Sequence, residues 1–173
     1  RLVGSEMCIR DSSKAGSGGN PLAHTMSSSK IERIILNDRP ASELLLHGTI
    51  ASKYHVPLVF VSGDFGICKE IRKINPLTIT HCTMHGVGDS TISMQPELSI
   101  MQIKKKVEKA LKLDMKLCTW AHPNKFKLKI RYMKHVDAYK ASQYPSAIML
   151  NAKSIVYESK DFDDIMRFIL FCV

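Results

Sequence analysis

Between Asn20-Pro21-Leu22-Ala23-His24-Thr25-Met26 and Asn37-Asp38-Arg39-Pro40-Ala41-Ser42-Glu43 lies Lys30-Ile31-Glu32-Arg33-Ile34-Ile35-Leu36, a short aliphatic segment with a histidine on one side and a carboxylate on the other. β-Branched residues pack well on a pleated surface, so Lys30 to Leu36 predicts one strand. Asn37-Asp38-Arg39-Pro40 then supplies a turn. From Ala41 to Tyr54, Leu44, Leu45, Gly48, Ala51 and Ser52 recur at helical spacing, which sets Glu43 in the first turn of a helix, aimed back past the strand. These are the parts of a metal or polar site.

Outward from that stretch the elements alternate. Val56 to Ser62 is a continuous apolar run suited to a strand buried on both faces of a parallel sheet. Gly63-Asp64 turns into a helix through Asn75, with Ile67, Ile71 and Ile74 inward. Asp64 is a candidate to line a site at the carboxyl end of its strand, although capping the helix is the commoner task for an Asp there. Pro76 to Met84 reads as a strand. Pro96 to Leu113 is an amphipathic helix with Ile100, Ile103, Val107, Ala110 and Leu111 inward and Lys104, Lys105, Lys106, Lys109 and Lys112 outward. After a polar loop containing Trp120, His122 and Pro123, Lys125 to Tyr132 alternates strictly: Phe126, Leu128, Ile130 and Tyr132 point one way, and Lys125, Lys127, Lys129 and Arg131 the other. Ser154 to Glu158 gives a further strand. Asp161 to Cys172 gives a last helix with Phe162, Ile165, Phe168 and Ile169 inward. The order predicts an α/β fold, a mixed, largely parallel sheet with flanking helices.

The chain of 173 residues is 45% apolar and 24% charged, the composition of a soluble globular domain. A net charge of +9 suggests an anionic partner. The lysine helix and the basic strand define the alternative of an anion- or nucleic-acid-binding module, but no aromatics interleave with the lysines as base stacking requires. Cys8, Cys68, Cys82, Cys118 and Cys172 are odd in number and widely spaced, which indicates neither a disulfide framework nor a zinc knuckle. No apolar run reaches the ~18 residues of a membrane span, and no signal-peptide core opens the chain, so a cytoplasmic protein with no membrane partner is expected. Ser13 to Asn20 is glycine-rich, yet lacks the strand before and helix after that a phosphate loop wants. His81 and His85 lie four residues apart on one strand, hence about 13 Å apart, too far for one zinc ion. Residues 1–12 resemble a translated adaptor scar rather than native sequence, which leaves 13–173 as the C-terminal part of an α/β domain. A start just upstream of Ser13 would truncate that domain and leave the edges of Lys30 to Leu36 and Val56 to Ser62 open.

Ala23-His24-Thr25-Met26 followed by a strand and Asn37-Asp38-Arg39-Pro40-Ala41-Ser42-Glu43 resembles the D-aminopeptidase family of zinc metallopeptidases, and the likeness continues through Tyr54-His55-Val56-Pro57-Leu58-Val59-Phe60-Val61-Ser62-Gly63-Asp64. The resemblance implies that His24 is the catalytic group and that Glu43 is a ligand of a two-zinc centre whose other ligands lie upstream. It further implies release of N-terminal D-residues from short peptides and a homo-oligomer, a ring of ten subunits enclosing the active sites. The piece itself is expected to be inactive. Where the family carries a lysine and Gly-x-Gly-Arg, this chain has Met84, His85 and Gly86-Val87-Gly88-Asp89, which leaves room for a scaffold member without catalysis.

Overall fold

A computed structural model describes residues 26–27, 29–88 and 90–173. In chain order the elements are β1 (Ile31–Leu36), β2 (Arg39–Pro40), α1 (Glu43–Lys53), β3 (Phe60–Asp64), α2 (Phe65–Ile74), β4 (Ile79–Val87), β5 (Ser90–Ser93), α3 (Pro96–Ala110), a 3-10 turn (Met115–Cys118), β6 (Phe126–Tyr132), α4 (His135–Ser142), β7 (Ile148–Asn151), β8 (Ser154–Ser159) and α5 (Phe162–Cys172). They form two compact units. One is built on His47–His122; the other joins the described part of His24–Leu46 to Pro123–Val173.

The second unit is built on β6. Its alternation is realised residue by residue, with Phe126, Leu128, Ile130 and Tyr132 all buried. Antiparallel partners flank it in the order β2-β1-β6-β8-β7. Helix α5 covers the apolar face with Phe162, Ile165, Phe168 and Ile169, and the Phe126 and Phe162 rings meet at 4.8 Å. Each such fully buried side chain contributes about 1.5–3 kcal/mol relative to exposure. In β1, Ile31 pairs with Tyr132 and Arg33 with Arg131, so Glu32 is an extra residue in the ladder. That bulge shifts the strand's phase, which is how Ile31 and Ile34, three positions apart, both become buried. Asn37 and Asp38 take φ of 48° and 63°, the left-handed pair a tight hairpin needs, and return the chain as β2.

The first unit holds a separate sheet, β3-β4-β5, with β3 parallel to β4 and β4 antiparallel to β5. Every residue of β3 is buried, as two-sided covering requires. Val59, Phe60, Ala110 and Cys118 form a core cluster, with Ile103 and Val107 of α3 packed against it. Trp120 is buried too: its amide donates to Ser52 Oγ at 2.6 Å, and its ring lies where a Cβ on Gly48 would be 2.1 Å away.

The α/β class holds, but three expectations are corrected. The strands form two sheets, and β3 with β4 is the single parallel pair among the described residues. The physical reason is connection length: a hairpin of a few residues, as after β1 and between β7 and β8, can join only antiparallel neighbours. β1 is also no open edge, since β2 and β6 flank it, whereas among the described residues β3 stands at the end of its sheet. In α3 the inward face differs from the apolar stripe: Ser99 is buried, Ile100 is 67% exposed, and Lys106 turns inward to Thr80 O at 3.0 Å. A hydrogen-bonded polar contact with β4 there outweighs the helix's apolar periodicity.

Candidate metal-binding site

The entry to β1 is a turn in which Ser27 O accepts from the amides of Lys30 and Ile31 at 3.2 and 2.8 Å. The hairpin after β1 brings Ala41 back to donate to Ile34 O at 2.9 Å, and Ser42 then caps α1, its Oγ accepting from Leu45 N at 3.1 Å. Glu43 is therefore the first residue of the helix and is exposed. Its Oε1 accepts from the Met26 amide at 3.0 Å, across 17 positions of sequence. So the carboxylate does point back past the strand, to a residue two beyond His24. Met26 has φ of 59°, a left-handed conformation that costs an ordinary residue roughly 1–2 kcal/mol. His24 and the glycine-rich loop Ser13 to Asn20 lie outside the described residues.

The other polar candidates serve the fold. Asp64 is 2% exposed and accepts from Ile67 N at 2.8 Å, the geometry of an N-cap on α2. His81 is 1% exposed; Lys106 Nζ lies 3.3 Å from its Nδ1 and Ser99 Oγ 3.0 Å from its Nε2. An ammonium only donates, so Nδ1 is the acceptor and Nε2 carries the ring proton and donates to Ser99. The imidazole thus has no free lone pair with which to activate Ser99. Burial first, then the Lys106 charge, hold its pKa below the ordinary value. His85 instead stacks on Phe65 at 4.8 Å, with Cys82 Sγ 3.6 Å from its Nε2. The hairpin that follows places Gly88 at φ 59°, and Asp89 is outside the described residues.

Burial pushes the described thiols up, Cys68 to about 12 and Cys172 to about 11, with Cys82 and Cys118 also raised, so none of them is poised as a nucleophile. The basic face along β6 is paired in place: Lys125 and Lys127 share Glu158, Lys129 pairs with Asp38 and Arg131 with Glu32. That pairing weakens the nucleic-acid alternative, because these cations are already partnered.

Among the described residues no group of three or more His, Cys, Asp or Glu side chains gathers to hold a metal ion. Glu43, an exposed carboxylate with one oxygen accepting from a main-chain amide, has the chemistry of one ligand of a larger set. The contact with Met26 is what sequence reasoning missed, since nothing about a methionine advertises a left-handed backbone. Glycine or asparagine at 26 would have signalled it.

The sequence matches a known family over nearly its whole length. The family described as D-aminopeptidase, peptidase family M55, matches residues 7–171, and the chain belongs to it. The D-aminopeptidase of Bacillus subtilis (strain 168) is 25% identical over 133 residues, covering 76% of this chain and 48% of that protein. A solved structure, the Zn-dependent D-aminopeptidase DppA from Bacillus subtilis, described as a self-compartmentalizing protease, superposes with a TM-score of 0.80 at 22% identity, over 93% of this chain and 59% of that one. The second likeness is one of fold. The chain thus spans about half the length of the curated relative it matches.

Proposed function

We propose that the protein to which this chain belongs is a zinc-dependent D-aminopeptidase that releases N-terminal D-residues from short peptides. The observation that carries the reading is the Glu43–Met26 hydrogen bond, which ties a solvent-facing carboxylate to a residue two positions after His24 in sequence, inside a family match of residues 7–171. Glu43 would be one zinc ligand of a two-ion centre, with the remaining ligands supplied from outside the described residues. Bound zinc polarises the scissile carbonyl and lowers the pKa of a bound water. His24, an imidazole able to titrate near neutrality, would take or deliver the proton at the reacting atoms, or attack as nucleophile. The B. subtilis relative described as self-compartmentalizing supports a homo-oligomer, here a ring of ten subunits. So does β7, whose Ile148, Met149 and Leu150 are exposed at the end of its sheet.

The test is hydrolysis of D-alanyl and L-alanyl dipeptides by the intact protein before and after zinc is stripped with a chelator. Preferential, zinc-dependent cleavage of the D-peptide is the expected result; zinc-independent cleavage or none would sink the reading. A protein that holds zinc and assembles yet cleaves neither peptide would be the scaffold member that Met84, His85 and Gly86-Val87-Gly88 at the family's lysine and Gly-x-Gly-Arg positions permit.

A further inference from the structure

We infer that the cleft between α4 and the end of α5 is a binding site for a free α-amino acid with an apolar side chain, its charged groups held by Lys30, Asp137 and Lys140 and its side chain by Tyr144 and Phe171. The cleft lies wholly within the second unit and has a volume of about 360 Å³. That is the small end of the roughly 300–1,000 Å³ range of ligand pockets, a fit for a ligand of this size. The site does not depend on the aminopeptidase reading.

Its charged groups are of both signs and are largely unspent. Lys30 Nζ donates to Val173 O at 3.3 Å, which uses one of the three protons an ammonium carries. Asp137 and Lys140 stand three positions apart on α4, the spacing at which Asp164 and Arg167 on α5 close an ion pair at 2.7 Å. Among the described residues Asp137 and Lys140 make no such pair, with each other or elsewhere, and both side chains line the cleft. At its base the Tyr132 hydroxyl donates to Cys172 O at 3.0 Å. Burial first, then Cys172 and Asp137, push that hydroxyl's pKa up, so the Asp137 charge stands near it.

The apolar wall is aromatic. Tyr144 is held edge-on by Tyr157 and Phe168, at 5.7 and 5.1 Å, and stands 6.3 Å from Phe171 at 32°. Phe171 is 71% exposed, a large apolar ring beside an acid and two bases. A simple anion in this cleft would face the Asp137 carboxylate, and a simple amine would face two ammonium groups. A zwitterion satisfies all three, its carboxylate toward Lys30 and Lys140 and its ammonium toward Asp137. An apolar side chain on the same ligand then covers Phe171.

Free phenylalanine is the probe, titrated into the intact protein by calorimetry beside phenylpropionate, which lacks the ammonium, and phenethylamine, which lacks the carboxylate. Phenylalanine should bind about tenfold or more tighter than either, the worth of one hydrogen bond to a charged group. Asp137→Asn should erase the preference over phenylpropionate while leaving phenylpropionate itself bound as before. Lys140→Gln should shrink the preference over phenethylamine, with Lys30 retaining part of it. Phe171→Ala should weaken phenylalanine about tenfold and leave glycine unaffected. Thermal midpoints, expected to hold for these outlying side chains, check folding. Cleavage of a D-alanyl dipeptide should be the same in all three variants, so loss of amino-acid binding with cleavage kept separates this site from the proposed zinc centre. Equal affinity for the three probes, no detectable binding of phenylalanine, or the same phenylalanine affinity in wild type, Asp137→Asn and Lys140→Gln would overturn the site.

Discussion

Glu43 on α1 and His81 on β4 are both chemically capable side chains, and they have been used in opposite ways. Glu43 is exposed and accepts a hydrogen bond from a main-chain amide. His81 is 1% exposed and has both ring nitrogens engaged, by Ser99 and Lys106. A serine beside a histidine beside a lysine looks more like catalytic machinery than a lone carboxylate does. The geometry reverses that impression: the His81 ring has neither a free lone pair nor an unengaged N–H to offer a substrate, while the Glu43 carboxylate is exposed. Buried polar groups must satisfy one another to be tolerated at all, so the completeness of the His81 contacts marks a structural network.

The first way to break this contrast is at the histidine near Glu43. His24→Ala in the intact protein should reduce kcat by about 10²-fold or more while zinc content is unchanged. Turnover close to wild type would remove His24 from the chemistry and leave Glu43 without its proposed partner.

Gly48→Ala probes the closed interior. A Cβ would stand 2.1 Å from the Trp120 ring, and an aromatic ring held among buried neighbours cannot easily retreat. Overpacking of this kind costs typically about 1–3 kcal/mol, to be read as a lower thermal midpoint with the kcat of the folded fraction kept. An unchanged midpoint would mean that the Trp120 site yields more readily than its close approach implies.

The His81 network also sets a pH dependence. Its pKa is held below the ordinary value of 6.5, so between the two the unfolded chain binds a proton that the folded chain refuses. The stability this group contributes is therefore complete above about 6.5 and is lost as pH falls toward the lowered folded pKa. Denaturant unfolding of His81→Gln should show a shallower decline from pH 7 to 5 than wild type. Equal slopes would assign the acid sensitivity to other groups.

The smallest effect belongs to the surface of β6. Lys125 and Lys127 hold the Glu158 carboxyl below its ordinary range by hydrogen bonding to it, yet all three are on the solvent side of the sheet. Glu158→Gln should move the thermal midpoint only slightly, and the difference should vanish in molar salt, where exposed pairs are screened. A large, salt-resistant loss would show that the paired face is buried against something.

Much of this was legible before any coordinates, and the reason differs by element. The alternation of Lys125 to Tyr132 and the Phe162, Ile165, Phe168, Ile169 spacing each encode a single apolar face, and both faces are buried as written. The β1, turn and α1 order followed from Asn37-Asp38 and from Ser42 ahead of a leucine run, so the place of Glu43 could be read directly. Val56 to Ser62 read as a parallel, two-sided strand, and β3 does pair parallel with β4. The antiparallel order around β6 could not be read, because alternation along one strand says nothing of which neighbour pairs with it. Lys106 escaped as well: the four lysines of α3 look alike in sequence, and only the approach of His81 and Thr80 selects one to turn inward. The left-handed angle at Met26 has no signature in the residue type.

The account places metal chemistry at Glu43 and denies it to the His81 network, and one titration separates the two. Zinc affinity of the intact protein would be measured by chelator competition for wild type, Glu43→Ala and His81→Gln, with thermal midpoints recorded alongside. Glu43→Ala should lose zinc by more than the ~10²-fold that a supporting partner can cost, with its midpoint little changed before metal is added, while His81→Gln should melt lower and bind zinc as wild type does. Full zinc affinity in a folded Glu43→Ala, or its loss in a folded His81→Gln, would contradict the account.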